Sequence, residues 1–483
     1  MKKYFFAISI LLFNIACNSQ PSATTIAENP TELNQKVNEY IETIQERYGI
    51  PGAAVAIIKD GKVIHRNNYG YANLEHQVPI TDASIFRLYS LTKPLVAVAV
   101  FQLLEAGKLN LEDRVDQYFT DLPTTWNGLQ IKHLLSHSSG LPDMAPVPLF
   151  ENLTEEEAKA KVFAQPIRFG AGEEYSYNQT NFWLLQQIIE QLSGTSMADF
   201  IIKNQFNSPT DTVFFSSDSR DIIRHRVTPY FPFRNGKRMI DHSYLQGDYG
   251  LAMNGLNITL DKFINWNQRL RNDELLKKET KELMWTEYPY TKKNASFAYS
   301  WDARMVNKHR SYGFSGSLVT AYRVFPDDDL SIMLFCNGLG RFFDIEDLVN
   351  HLASFVNKDI FNPNYLAFET LLKAGESDFS TLKTSYYQLK KDYPQANLEA
   401  QINSVGYMIM NSGQLATAID IFTLNTEEFP TSWNTFDSLG EAYLNANDLA
   451  KAKRYYEQSL QLNPDNNNGA EMLDEISKRQ KQD

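Results

Sequence analysis

The stretch Phe86-Arg87-Leu88-Tyr89-Ser90-Leu91-Thr92-Lys93-Pro94 sets a serine and a lysine three residues apart at the head of an apolar segment. On a helix, residues at this spacing share a face, so hydroxyl and amine can share a proton. A serine hydroxyl is a weak nucleophile until a base takes its proton, and a desolvated lysine can be neutral enough to do so. Desolvation comes from the apolar residues just beyond: Leu95, Val96, Val98, Ala99, Phe101, Leu103 and Leu104 predict a buried helix. The start of that helix would also aim backbone N–H groups at an anion forming beside Ser90. Spacing alone is a weak signal, because Ser380 and Lys383 repeat it late in the chain, where it reads as chance.

Working outward, two hairpins frame this segment. Pro51-Gly52 precedes the apolar run Ala53 to Ile58, Asp60-Gly61 makes a tight turn, and Lys62 to Asn68 returns. Far downstream, Tyr322 to Phe325 and Leu330 to Cys336 flank the turn Asp327-Asp328-Asp329. Strands at both ends with helices between predict an α+β fold: an antiparallel sheet flanked by helices and carrying a helical subdomain. Phe343 to Phe355 places Ile345, Leu348, Val349, Leu352 and Phe355 at helical spacing, fit to cover that sheet. Cys336 lies in an apolar run and reads as a buried strand residue.

Several segments, in order and without large gaps over roughly residues 34–352, resemble the serine β-lactamase and penicillin-binding-protein-like hydrolase family. The nearest branches are class C, the esterases and the D-aminopeptidases. Ile50-Pro51-Gly52-Ala53 and Gly70-Tyr71-Ala72-Asn73-Leu74-Glu75 are similar to its opening strands, and Phe86 to Pro94 to its nucleophile segment. Glu105-Ala106-Gly107-Lys108-Leu109 comes next in place, and His133-Leu134-Leu135-Ser136-His137-Ser138-Ser139-Gly140-Leu141-Pro142 is the most specific block. The resemblance gives that block a structural role. His133 and His137 have the spacing of two metal ligands on a helix, but Leu134 stands where a zinc protease needs Glu, so no metal is expected.

The same resemblance assigns the remaining site residues. Its second motif, Y-x-N, falls in Tyr175-Ser176-Tyr177-Asn178-Gln179-Thr180-Asn181, where two registers compete. Ser176-Tyr177-Asn178 fits S-x-N, whereas Tyr177-Asn178-Gln179 fits Y-x-N with Gln for Asn, and the downstream Asn181-Phe182-Trp183-Leu184-Leu185 anchors the second. Tyr177 is then the candidate general base and Gln179 a candidate substrate hydrogen-bond partner, with Tyr175 left as a loop aromatic. A phenol acts as a base only where nearby cations favour its ionised form, and Lys93 is such a cation. The third motif, commonly K-T-G or H-x-G, is here Gly313-Phe314-Ser315-Gly316-Ser317. Phe314 replaces the cation, tilting the expected substrate towards neutral esters or amides; His309, upstream, is a weak substitute. Gly316 is expected to let substrate approach the strand, and the N–H of Ser317, with that of Ser90, to form an oxyanion hole.

The chain's end reads differently. Gly406 and Gly440, Ala418 and Ala452, Phe422 and Tyr456, and Pro430 and Pro464 are each 34 residues apart. That period and those residue types resemble tetratricopeptide repeats, stacked helix pairs that form an all-α solenoid over residues 363–480. Leu382 to Pro394 reads as a degenerate repeat and Ala470 to Lys481 as a capping helix. The repeats imply a protein partner.

The start reads differently again. Lys2 and Lys3 precede the apolar run Tyr4 to Leu12, and Ala16 precedes Cys17, which predicts a signal peptide over residues 1–17. Cys17 is the expected lipidation site of a bacterial lipoprotein, although Asn14 stands where Leu is usual; an ordinary cleaved signal is the alternative. The polar residues 18–32 suit a tether, leaving residues 33–358 as the hydrolase domain. Lipidation would hold the exported chain to the cell envelope membrane, in the periplasm or at the outer membrane. The net charge of −12 over 483 residues repels phosphate backbones and makes nucleic acid a poor partner, so none is expected.

The reading is an exported serine hydrolase that uses no cofactor and acts on a small-molecule or short-peptide ester or amide. Ser90, Lys93 and Tyr177 are its catalytic candidates; Gln179, Phe314, Gly316 and Ser317 are its substrate-binding candidates. The rival is a catalytically lapsed ligand-binding or peptidoglycan-binding protein whose repeats recruit a partner.

Overall fold

A continuous apolar run pairs best where both sheet faces are covered, and the two longest such runs lie side by side at the centre of the sheet. β1 (Gly52–Lys59) runs antiparallel to β2 (Lys62–Asn73) on one side. On the other it pairs with the last strand of the sheet, Leu330–Cys336, in register from Ala53 opposite Cys336 to Lys59 opposite Leu330. In this computed structural model, residues 32–144, 153–206, 212–234, 237–240, 247–292, 295–338 and 344–480 are described. The expected leader, Cys17 and nearly all of the tether lie outside them.

The other strands of this sheet are β3 (Val78–Pro79), β4 (Asp302–Val306), β5 (His309–Gly316), β6 (Thr320–Phe325) and the β7 (Leu330–Cys336) just described. They complete a seven-stranded sheet in the order β3-β2-β1-β7-β6-β5-β4. The N-terminal hairpin thus closes against the C-terminal meander, and everything between residues 80 and 301 is inserted. β2 runs five residues past the expected end at Asn68, to Asn73, because β3 pairs with its far end.

Alternation along the central strands feeds two cores. Ala54, Ala56 and Ile58 of β1, with Tyr322, Met333 and Phe335, face the inserted helices, including the buried helix α2 (Thr92–Glu105) and α3 (Thr180–Ser193). Ala53, Val55 and Ile57, with Ala321, Ile332, Leu334 and Cys336, face α1 (Glu32–Tyr48), which precedes the sheet. Two further helices of the insertion, α4 (Leu260–Arg271) and α5 (Lys278–Met284), flank the meander. Cys336 is buried, and burial pushes its thiol pKa up. α6 (Ile345–Val356) covers β6 and β7 beside α1, with Ile345, Leu348, Val349 and Leu352 inward as its spacing predicts.

The second core does not stop at α6. It continues through α7 (Pro363–Ser377), α8 (Phe379–Asp392), α9 (Leu398–Asn411) and α10 (Leu415–Glu428) into α11 (Trp433–Asn445). α12 (Leu449–Leu462) and α13 (Asn467–Arg479) end the stack. The 34-residue spacing has a packing cause. A Cβ on Gly406 would meet the Phe422 ring at 2.5 Å, and one on Gly440 would meet the Tyr456 ring at 3.1 Å. Each glycine therefore admits the aromatic of its partner helix. The solenoid is also joined to the first helix: Arg47 pairs with Glu369 at 2.6 Å, and the Tyr40 and Tyr365 hydroxyls are 2.8 Å apart.

Candidate active site

Ser90 sits in a single 3-10 turn, Tyr89–Leu91, that runs straight into α2. Tyr89 holds a left-handed backbone with φ 50°, uncommon for an aromatic residue. The surroundings pin this turn from two sides. The Leu88 N–H donates to Leu256 O at 2.8 Å, and Thr320 Oγ1 donates to Leu88 O at 3.0 Å. The Arg87 guanidinium lies over the Tyr89 ring, 5.2 Å from its centre.

Lys93, one turn on, is fully buried. Its Nζ donates to Met253 O at 2.7 Å and reaches Ser90 Oγ at 3.4 Å. Burial pulls its pKa down to about 7, against the opposing pull of the Asp143 carboxylate. An amine near that value is neutral in a large fraction of molecules at neutral pH, the state in which it can accept a proton.

Tyr177 completes the group. Its hydroxyl donates to Ser90 Oγ at 2.7 Å, and Lys93 Nζ lies 4.9 Å from its ring centre. Of the two registers, the one that makes Tyr177 the first residue of its motif matches this geometry. Asn178 instead turns inward, donating to Leu141 O at 2.6 Å.

The histidine block buttresses Tyr177. His137 is fully buried beneath it, ring centroids 4.6 Å apart, and its Nδ1 accepts the Asn178 N–H at 3.1 Å. Burial and the nearby Lys93 hold His137 well below its ordinary pKa, so it stays neutral. Ser139 Oγ donates to Asn181 Oδ1 at 2.6 Å, stitching the block to the start of α3. His133 accepts the Gln130 N–H at 3.1 Å. Both imidazoles support backbone, and among the described residues no group of three or more His, Cys, Asp or Glu is placed to hold a metal ion.

Ser90 opens into a cleft of about 300 Å³, lined also by Tyr175, Tyr177, Phe314 and Ser317. Ser317 lies just past β5 with φ 49°, another left-handed residue beside the nucleophile. Tyr175, expected to be a bystander, is a wall of the cleft and packs on Phe297 with centroids 4.9 Å apart. Gln179 is not a lining residue. It stands at the head of α3 with its N–H on the Asp143 carboxylate at 3.0 Å, held there by the helix start.

Gly316 differs from expectation as well. A Cβ there would stand 2.0 Å from Leu88 O, so its bareness lets β5 dock on the nucleophile turn rather than giving access to substrate. His309 is no substitute cation for Phe314: it binds Asp328 at 2.7 Å at the other end of β5. Ser380 is exposed on α8, away from any buried pocket.

One wall was illegible in the sequence. Asp302 and Arg304 on β4 and Glu346 on α6 line the cleft. Arg304 Nε donates to both Asp302 oxygens, at 2.7 and 2.9 Å, and the buried Arg323 binds Glu346. Burial pushes Asp302 up; for Glu346, burial is outweighed by Arg323 and Arg304, which hold it down. The only signal was faint: Asp302 and Arg304 alternate on one strand face, while Glu346 is 42 residues downstream of Arg304.

The fold and this geometry agree with sequence comparison. The Beta-lactamase family profile matches residues 37–355, well over half of the chain. This chain belongs to the beta-lactamase family. That is a family of serine hydrolases, and a tetratricopeptide repeat profile matches residues 434–466 behind it. Among curated relatives, penicillin-binding protein 4* of Bacillus subtilis is 28% identical over 260 residues, 50% of this chain and 56% of that protein. The D-aminopeptidase of Gluconobacter oxydans is 28% identical over 245 residues, 49% of this chain and 45% of that one. The chain thus spans about half the length of the curated relatives it matches. The octameric penicillin-binding protein homologue from Pyrococcus abyssi superposes with a TM-score of 0.60 at 23% identity, covering 71% of this chain and 82% of the other, a likeness of fold.

Proposed function

We propose that this protein is an exported serine hydrolase that cleaves ester or amide bonds through an acyl-enzyme on Ser90. The observation that carries the reading is the convergence of Tyr177 OH at 2.7 Å and a largely desolvated Lys93 Nζ at 3.4 Å on one serine oxygen facing a cleft. Ser90 Oγ attacks the carbonyl carbon as Tyr177 and Lys93 take up its proton. Backbone N–H groups of Ser90 and Ser317 bind the oxyanion, and the stored proton leaves with the alcohol or amine. Water then adds to the acyl carbon, and Ser90 regains its proton as the acid departs.

Phe314 at the cleft wall supports neutral ester or D-amino-acid amide substrates over carboxylate-bearing ones, and similarity to a D-aminopeptidase points the same way. The repeat stack is proposed to engage a protein partner, and lipidated Cys17 to anchor the chain at the envelope. A fluorophosphonate or penicillin probe followed by intact mass tests the chemistry. One adduct on wild type and none on Ser90→Ala is expected; no adduct from either probe, or equal labelling of the variant, sinks it and favours a binding protein. Palmitate incorporation that vanishes in Cys17→Ser tests the anchor.

A further inference from the structure

Ser90 and Lys93 belong to one segment of chain, but the acceptor that holds the amine belongs to another. Lys93 Nζ donates to Met253 O, and Met253 sits in a short helix, Leu251–Asn254, 160 residues downstream. Two backbone groups of Leu256 join the same segments. Its N–H donates to Thr92 Oγ1 at 3.1 Å, and its carbonyl accepts the Leu88 N–H at 2.8 Å. Where Nζ stands relative to Ser90 Oγ therefore depends on how firmly residues 253–256 are held against residues 88–93.

One side chain spans that joint. Arg87 ends the short strand Ile85–Arg87 and is 7% exposed. Its Nε donates to Asn254 O at 3.2 Å, and its Nη2 donates to Asn254 Oδ1 and to Ser217 O, the latter at 2.9 Å. Asn254 is the neighbour of Met253, so this grip fixes the peptide that carries the lysine's acceptor. The same guanidinium covers the ring of Tyr89, the neighbour of Ser90, whose backbone is held at φ 50°. A cation is attracted to a ring face, which helps to hold that strained turn in place.

The residue type suits both tasks. A planar fork reaches the carbonyl and the amide oxygen of one residue at once while its flat face stays on a ring, which an ammonium cannot do. Arg87 does not line the cleft at Ser90, so it has no place among the groups that touch substrate.

We propose that Arg87 is a positioning residue for acyl transfer: it locks Asn254, and with it the Met253 carbonyl that anchors Lys93, against the Tyr89–Ser90 turn, fixing amine and hydroxyl at one separation. The proposal rests on the reading of Ser90 as the nucleophile.

The test is steady-state kinetics of the full chain on a neutral ester. A misplacement of about 1 Å costs roughly 10²-fold in rate. Arg87→Met, which removes the guanidinium, and Arg87→Lys, which keeps the charge without the fork, are each expected to lower kcat by about that factor, with KM unchanged. Asn254→Leu should lower kcat too. Combined with Arg87→Met it should add little, because both substitutions cut one link. Circular dichroism and the thermal transition are checked for each variant, and Asn254→Leu carries the test should neither Arg87 variant fold. Wild-type kcat in a folded Arg87→Met or Arg87→Lys, a change confined to KM, or losses that multiply in the double variant would each overturn the assignment while wild type still forms its adduct on Ser90. A wild type that turns over no ester and takes no fluorophosphonate on Ser90 would remove the hydrolase reading itself, and this inference with it.

Discussion

The Tyr177 hydroxyl is 2.7 Å from Ser90 Oγ, whereas Lys93, only three residues on in sequence, keeps 3.4 Å and spends its shorter hydrogen bond on Met253 O. The phenol is therefore the nearer proton partner, and Lys93 supplies a buried amine that tunes both. Removing the Tyr177 hydroxyl should cost more than an ordinary hydrogen bond. Tyr177→Phe is expected to lower kcat on a neutral ester by roughly 10²–10⁴-fold, with KM little changed. A loss of only a few-fold in steady-state kinetics would assign the proton to Lys93 alone.

The pH dependence rests on the Lys93 pKa of about 7. Only the neutral amine accepts a proton, so kcat/KM should rise as pH climbs through that value and level off above it. Below the limb, activity falls tenfold per unit as protonated Lys93 accumulates. Lys93→Arg should be inactive throughout, because a guanidinium stays charged. A flat profile between pH 5 and 9 would rule out Lys93 as the titrating group.

Glu346 neutralises Arg323, which is 1% exposed. Glu346→Ala leaves that guanidinium buried with only the Ser311 hydroxyl at 3.0 Å and the more distant Asp302 carboxylate at 3.9 Å to hold it among the described residues. A loss of about 3–5 kcal/mol is expected in urea denaturation. Glu346→Gln should lose less, since its amide oxygen still accepts.

Gly316→Ala sets a Cβ 2.0 Å from Leu88 O, so strand β5 or the nucleophile turn must shift. Overpacking of this kind costs about 1–3 kcal/mol, and the rate of serine acylation should fall with it. Gly107→Ala is the control: its φ of +66° is strained for alanine, but no atom lies within 4 Å. It should lose about 1 kcal/mol and keep the acylation rate.

The solenoid shares a core with the sheet and grips α1 through Arg47 and Glu369. A chain ended after Phe361 should lose its cooperative thermal transition or show it at a lower Tm. An unchanged Tm would make the repeats a separable appendage.

How far the sequence could be read differs by element. Apolar runs such as Leu330 to Cys336 are legible because burial on both faces leaves Ser331 as the single polar position among seven. The glycine–aromatic pairs of the repeats are legible because one contact recurs at a fixed interval. Motif order selected Ser90 over Ser380, and the exposure of Ser380 gives the physical ground for that choice. Gln179 and Tyr175 misled because a residue type does not say which way its side chain leaves the backbone, and Gly316 because a bare Cα does not say which neighbour it admits.

By itself, then, the sequence determined the sheet with its inserted helices, the repeat stack, and Ser90, Lys93 and Tyr177 as candidates. Each rests on local pattern or on motif order, which the chain carries linearly. Tertiary structure alone decided the rest. It brought Asp302, Arg304 and Glu346 to the cleft from two elements, and it put His137 under Tyr177. It merged the solenoid into the core of the sheet. These are contacts between residues far apart in the chain, fixed by packing and burial. The lowered pKa of Lys93 joins both: the apolar helix was written in the sequence, but how completely it is buried depends on the fold around it.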